Sequence, residues 1–91
     1  MPIRVYIPSP LRDQTQGQTT VHVQGASVKD ALDHLCQQFP ELKARLFDGG
    51  GEVKPFLNVY LNNEDIRYLD NLATAIKDGD ELSIIPAVAG G

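Results

Sequence analysis

The sequence predicts an α+β fold, a mixed sheet packed against one main helix. Three observations predict it: period-two alternation near both ends and in the third quarter of the chain, one stretch with three-to-four spacing, and turn residues between them. At 91 residues the chain has room for one core and none for a second. A hydrophobic fraction of 42% with 22% charged residues is the balance of a folded chain rather than a disordered one.

Ile3, Val5 and Ile7 alternate with Arg4, Tyr6 and Pro8, so the first strand spans about residues 3 to 7 with one buried face. Ser9-Pro10 follows. The polar stretch from Asp13 to Gln18, with Gly17 inside it, reads as a turn before Thr19 to Val23 resumes β-branched alternation, which suggests a hairpin. Val28, Leu32, Leu35 and Phe39 then fall within an arc of about 60° at 100° per residue, the core face of a helix. Ala31 and Cys36 sit on the edges of that arc. Ser27 is placed to cap the helix, Asp30 puts a carboxylate in its first turn, and Pro40 stops it at Phe39.

Residues 41 to 47 allow a short helical turn, and Asp48-Gly49-Gly50-Gly51-Glu52 reads as flexible chain. Phe56 to Leu61 is the next strand, with Leu57, Val59 and Leu61 on one side. Asn62-Asn63 fits a tight turn because asparagine tolerates positive φ, and Asp65 to Tyr68 is read as a short return strand. Asp78-Gly79-Asp80 launches the last strand, Glu81 to Ile85, which Pro86 is expected to end because it has no N–H to donate. The order strand, strand, helix, strand, short strand, strand at this length is that of the β-grasp, or ubiquitin-like, fold. The domain is therefore drawn as residues 1–86, with 87–91 as a flexible C-terminal tail ending in Gly-Gly.

A net charge of −4 argues against a nucleic acid partner and toward a basic docking surface on a partner protein. No apolar run approaches the ~20 residues a membrane-spanning helix needs, and Met1-Pro2-Ile3-Arg4 lacks the regions of a signal peptide, so no membrane association and a cytoplasmic location are expected. The single cysteine, Cys36, allows no internal disulfide and no four-cysteine cluster.

The chemistry is predicted at the tail. Ala87-Val88-Ala89-Gly90-Gly91 would reach roughly 17 Å if extended, at about 3.3 to 3.6 Å per residue, far enough to enter a partner's pocket. A terminal carboxylate with a pKa of about 3.5 is ionised and a poor electrophile. Adenylation by ATP converts it to a mixed anhydride, and attack by sulfur then leads through an acyl persulfide to a thiocarboxylate. Gly90 and Gly91 suit this because, without side chains, they thread a narrow channel and adopt whatever φ and ψ the partner requires. A terminal diglycine alone reads first as a frayed end or linker remnant; a β-grasp body with a strand finishing five residues earlier is what turns the reading toward function.

The whole chain resembles the ubiquitin-like sulfur carriers of the MoaD/ThiS family. The likeness is carried by Ile3-Arg4-Val5, Pro10-Leu11-Arg12, Asp78-Gly79-Asp80-Glu81 and, most specifically, Pro86-Ala87-Val88-Ala89-Gly90-Gly91. Leu72 to Ile76, Asn58 to Asn62 and Glu64 to Arg67 are most similar to the cysteine-biosynthesis branch. The resemblance implies a carrier that is not itself an enzyme and binds no cofactor, with ATP and a sulfur source used by its activating partner. That partner would be a ubiquitin-activating-enzyme-like adenylyltransferase and sulfurtransferase. The acceptor would be a pyridoxal-phosphate-dependent cysteine synthase, whose carrier–cysteine adduct a zinc peptidase releases, or the large subunit of a molybdopterin synthase. The molybdopterin carriers usually have a second proline where this chain has Ala87.

Alternation sends Tyr6, Pro8, Ser83 and Ile85 to the open face of the sheet, with Tyr60 beside them. Together with Pro86, Ala87, Val88 and Ala89, the residues Pro8, Tyr60 and Ile85 form the expected partner-binding surface. Singly exposed apolar groups need no function, and Arg12 and Arg67 read first as solvated cations. Cys36 reads as an inert buried thiol, His22 and His34 as isolated outward side chains, and Gly49-Gly50-Gly51 as a loop. Two other functions share the same residues: a modifier that conjugates Gly91 to protein lysines, and an interaction module with an incidental tail.

Overall fold

The computed structural model describes residues 2–86. Five strands make one sheet: β1 (Ile3–Tyr6), β2 (Thr20–Val23), β3 (Leu57–Leu61), β4 (Glu64–Asp65) and β5 (Glu81–Pro86). Their order across the sheet is β2-β1-β5-β3-β4. β1 pairs with β2 antiparallel and with β5 parallel, so the first and last strands lie side by side at the centre, as in the β-grasp. β3 runs antiparallel to β5 on the other side, from Leu57 opposite Pro86 to Leu61 opposite Leu82.

The helix α1 (Val28–Gln38) packs across one face of this sheet. Val28, Ala31, Leu32 and Leu35 are buried against Ile3, Val5, Ile7, Val21, Val23, Leu82 and Ile84. Removing that apolar surface from water is the main stabilising term, at about 1.5–3 kcal/mol per fully buried large side chain. The predicted cap forms: Ser27 Oγ accepts from Asp30 N–H at 3.1 Å, and Asp30 Oδ2 accepts from Ala26 N–H at 3.3 Å. Gly25 is needed just before it, because a Cβ there would lie 2.7 Å from Asp30 Cβ and 2.8 Å from the Ala31 backbone nitrogen. At the other end Phe39 leaves the helix with φ −133°, as the following proline demands.

Three segments differ from the alternation reading. The chain after β1 is not a simple turn but a 3-10 helix, Ser9–Thr15, with Pro10 in its first turn, where a missing N–H costs nothing. It ends on Gln16 at φ 56° and Gly17 at φ 82°, with Thr15 buried and its hydroxyl shared between the carbonyls of Arg12 and Gln18. The return strand is only Glu64–Asp65; Ile66–Tyr68 turns into a 3-10 helix because Asp65 Oδ1 caps it, accepting from Arg67 N–H at 2.9 Å. Pro86, expected to stop β5, is part of it. β1 ends opposite Ser83, so Pro86 lies past its parallel neighbour, an edge-like position that a proline tolerates.

The remaining elements follow the sequence closely. α2 (Leu42–Leu46) buries Leu42 and Leu46, and the tight turn places Asn62 at φ 50° and Asn63 at φ 77°. A third 3-10 helix, Asn71–Ala73, leads into a crossover pinned to the start of α1, where Val28 N–H donates to Thr74 O and Ile76 N–H to Ala26 O. Gly79, at φ 87°, then turns the chain into β5.

Candidate functional site

β5 is the element that matters for the tail, since it runs through the centre of the sheet and finishes at Pro86. The register sets a row of side chains across all five strands on the face away from α1: Thr20, Tyr6, Ser83, Tyr60 and Asp65. Ile85 occupies the next outward position of β5, opposite Asn58. Tyr6 is 41% and Ile85 43% exposed, and Tyr60 is half-buried between them and β4. Tyr6, Tyr60 and Ile85 thus give this face an apolar strip on and beside the strand from which the last five residues continue.

Two arginines frame that strip. Arg12 sits 5.7 Å from the centre of the Tyr6 ring and donates to three oxygens: Ile7 O at 3.0 Å, Ser9 Oγ at 3.1 Å and Tyr6 Oη at 3.0 Å. On the opposite side Arg67 grips the buried Asp65 carboxylate through Nε and Nη2, the latter at 2.8 Å from Oδ2, and reaches Asn58 Oδ1 at 2.6 Å. Hydrogen bonding to Arg67 holds the Asp65 carboxyl below its ordinary range, and the same contact raises the guanidinium. Both arginines are therefore held in place by several acceptors each, which a solvated cation is not. Sequence reasoning set both aside; the available signals were the Ser9 and Asp65 acceptors, three and two positions away respectively.

The predicted binding residues divide three ways. Tyr60 and Ile85 stand on the open face. Pro8 does not: it is buried, because the chain has left β1 by then and Pro8 serves as the N-cap of the 3-10 helix, its carbonyl accepting from Leu11 N–H at 2.9 Å. Pro86 pairs with Leu57, so it lies on the α1 side rather than among the tyrosines. Ala87, Val88, Ala89, Gly90 and Gly91 lie outside the described residues. Arg4, Arg12 and Arg67 lie on this face, with Glu81 opposite Arg4 and the Asp65 carboxylate against Arg67.

Elsewhere, Cys36 is half-buried and burial pushes its thiol above the ordinary range, with Asp33 adding to the effect. His34 Nδ1 accepts from Gln24 N–H at 2.9 Å, and Gln38 donates to His22 O at 3.0 Å, so these polar groups tie α1 to the β2 edge. Among the described residues no three His, Cys, Asp or Glu side chains gather as a metal site, and no helix is long and apolar enough to cross a membrane.

The ThiS family model matches residues 5–91, nearly the whole chain and the diglycine with it. The chain belongs to the ThiS family. As a ThiS-family protein it is 41% identical to the sulfur carrier protein CysO of Mycobacterium tuberculosis over 93 aligned positions, covering 100% of both chains. Its fold matches the structure of the Amycolatopsis orientalis BexX/CysO complex with a TM-score of 0.91 and 42% identity, over 98% of this chain and 99% of that one. The Haloferax volcanii small archaeal modifier protein 1 matches with a TM-score of 0.83 and 34% identity, over 94% of this chain and 97% of that one. The ThiS-family chain is thus a full-length homologue of sulfur carriers and a structural relative of a modifier, with the β-grasp they share. These relatives are carriers and modifiers by name, not enzymes.

Proposed function

We propose that this chain is a sulfur carrier that serves as a covalent co-substrate, its Gly91 carboxylate passing through an acyl-adenylate to a thiocarboxylate. In the first step the carboxylate attacks the α-phosphate of ATP on an activating enzyme and pyrophosphate leaves. A persulfide sulfur then adds to the acyl carbon and expels AMP, and a thiol cleaves the resulting S–S bond, leaving the thiocarboxylate and a disulfide on the enzyme. The observation that carries this reading is the family match running through Gly91, on a chain whose central strand ends five residues before it.

The open face supplies the docking. Tyr6, Tyr60 and Ile85 offer apolar contact, and Arg12 and Arg67, held in fixed positions, offer polar contact at its margins. The partners are an adenylyltransferase and sulfurtransferase of the ubiquitin-activating type and, by likeness to CysO, a pyridoxal-phosphate-dependent cysteine synthase, with the large subunit of a molybdopterin synthase as the other acceptor. Residues 87–91 provide the reach, the chain itself holds no cofactor, and ATP-dependent activation places the work in the cytosol.

Intact-mass spectrometry after incubation with the activating enzyme, ATP and a sulfur source tests the proposal. The expected result is the mass gain of one oxygen exchanged for sulfur, lost when Gly90 and Gly91 are deleted from a chain that still melts at the same temperature. An unmodified acid under those conditions refutes it. The likeness to an archaeal modifier supports a second reading, conjugation of Gly91 to lysines, for which isopeptide-linked adducts recovered from cells are the diagnostic product.

A further inference from the structure

The α1 side of the sheet carries a second feature at the root of the tail. A groove of about 250 Å³ opens there between the buried Leu11 and Leu57, the 53%-exposed Phe56 and Pro86, with Arg45 and Lys54 also lining it. None of its lining residues is acidic, in a chain with net charge −4. Lys54 Nζ lies 5.8 Å from the centre of the Phe56 ring, and among the described residues neither Arg45 nor Lys54 makes a salt bridge. The cavity is smaller than the roughly 300–1,000 Å³ of ordinary small-molecule sites, so it suits a protein side chain rather than a metabolite.

We propose that this groove receives an apolar side chain flanked by carboxylates, from a segment of the protein that takes the tail. Charge complementarity fixes the chemistry: two cations with no carboxylate partner among the described residues favour a segment that is acidic on either side of its apolar residue. Continuity fixes the place, because Pro86 is both a wall of the groove and the residue from which the chain runs on to Gly91. This rests on the carrier reading. On that reading the partner holds the end of β5 from both faces, with Ile85 and the tyrosines on one side and Phe56 and Pro86 on the other.

The test is titration of the ¹⁵N-labelled full-length chain with a synthetic Asp-Leu-Glu-Leu-Asp peptide, followed by amide shifts. Saturable shifts at Leu11, Arg45, Lys54 and Phe56 are expected. The double variant Arg45→Glu with Lys54→Glu should weaken them at least tenfold while leaving the rest of the spectrum in place, and a peptide with lysines for its acidic residues should not bind. Shifts that do not saturate, or that fall instead on Tyr6, Ser83 and Ile85, overturn the proposal. So does a tenfold gain in peptide affinity on removing residues 87–91, which would make the chain's own tail the occupant. The titration uses no ATP and no sulfur, so its failure is distinct from a failure to form the thiocarboxylate.

Discussion

The Asn62 side-chain amide donates to Asp80 Oδ1 at 3.1 Å, while its own Oδ1 accepts from Glu81 N–H at 3.0 Å. One asparagine in the β3–β4 turn thereby fixes where β5 begins, and with it the register that carries Ile85 and Pro86 to their places. Asp80 is buried and also accepts from Lys77 N–H at 2.9 Å. Asn62→Ala removes both side-chain bonds and puts a Cβ-bearing residue without a local polar partner at φ 50°; it should lower stability by about 1–3 kcal/mol in urea denaturation. Asn62→Gly loses the bonds but not the conformation and should fall short of the alanine variant. Equal losses would mean that φ contributes nothing.

Acid should unfold the chain through two carboxylates. Burial alone would raise the Asp80 carboxyl, but the Lys77 N–H, the Asn62 amide and the Lys77 ammonium outweigh it and hold it below the ordinary range; Asp65 is held low by Arg67. A depressed folded-state pKa gives stability that is present above the unfolded value, about 3.9, and lost as pH falls through the folded one. Stability should therefore be flat near neutrality and decline below about pH 4. Arg67→Gln should move the acid transition to higher pH, as read by circular dichroism across a pH series.

Ile85→Asp should reduce kcat/KM for adenylation at least tenfold, mainly through KM, because it places a charge in the centre of the docking strip. Its 43% exposure means the fold should survive, which a thermal melt checks. Gln37→Asp, on an exposed position of α1, should leave the kinetics unchanged.

Cys36→Ala should form the thiocarboxylate as fast as the parent chain. Burial raises its thiol, so the thiolate fraction at neutral pH is small, and its labelling by a disulfide reagent should be slower than that of free cysteine. Loss of sulfur loading in this variant would move the chemistry away from Gly91.

Gly25→Ala should destabilise by about 1–3 kcal/mol without touching the open face, since the new methyl meets backbone at 2.8 Å where the chain enters α1. A melt unchanged from the parent would show that the cap can shift to make room.

Much of this was legible in the residues. Period-two alternation of Val5, Val59 and Ile84 against Arg4, Asn58 and Ser83 settled which face is buried, and Ser27, Pro40 and Gly79 marked boundaries through local chemistry that neighbours do not override. Pro8 was misplaced because alternation assumes the strand continues, and nothing in one residue tells that a 3-10 helix has begun. Tyr68 was put in a strand because the Asp65 cap competes with a ladder, a contest that tertiary contacts decide. Arg12 and Arg67 were readable only in part, through Ser9 and Asp65: their other acceptors include Tyr6 and Asn58, six and nine positions away, which only the folded sheet brings to them.

The parallel pairing of β1 with β5 has a mechanical corollary. Because the outgoing strand is flanked on both sides, a pull on the chain's last residues would shear a ladder against two neighbours at once instead of peeling an edge one bond at a time. A partner can thus tug on the reacting end during handover while the body that it grips keeps its shape.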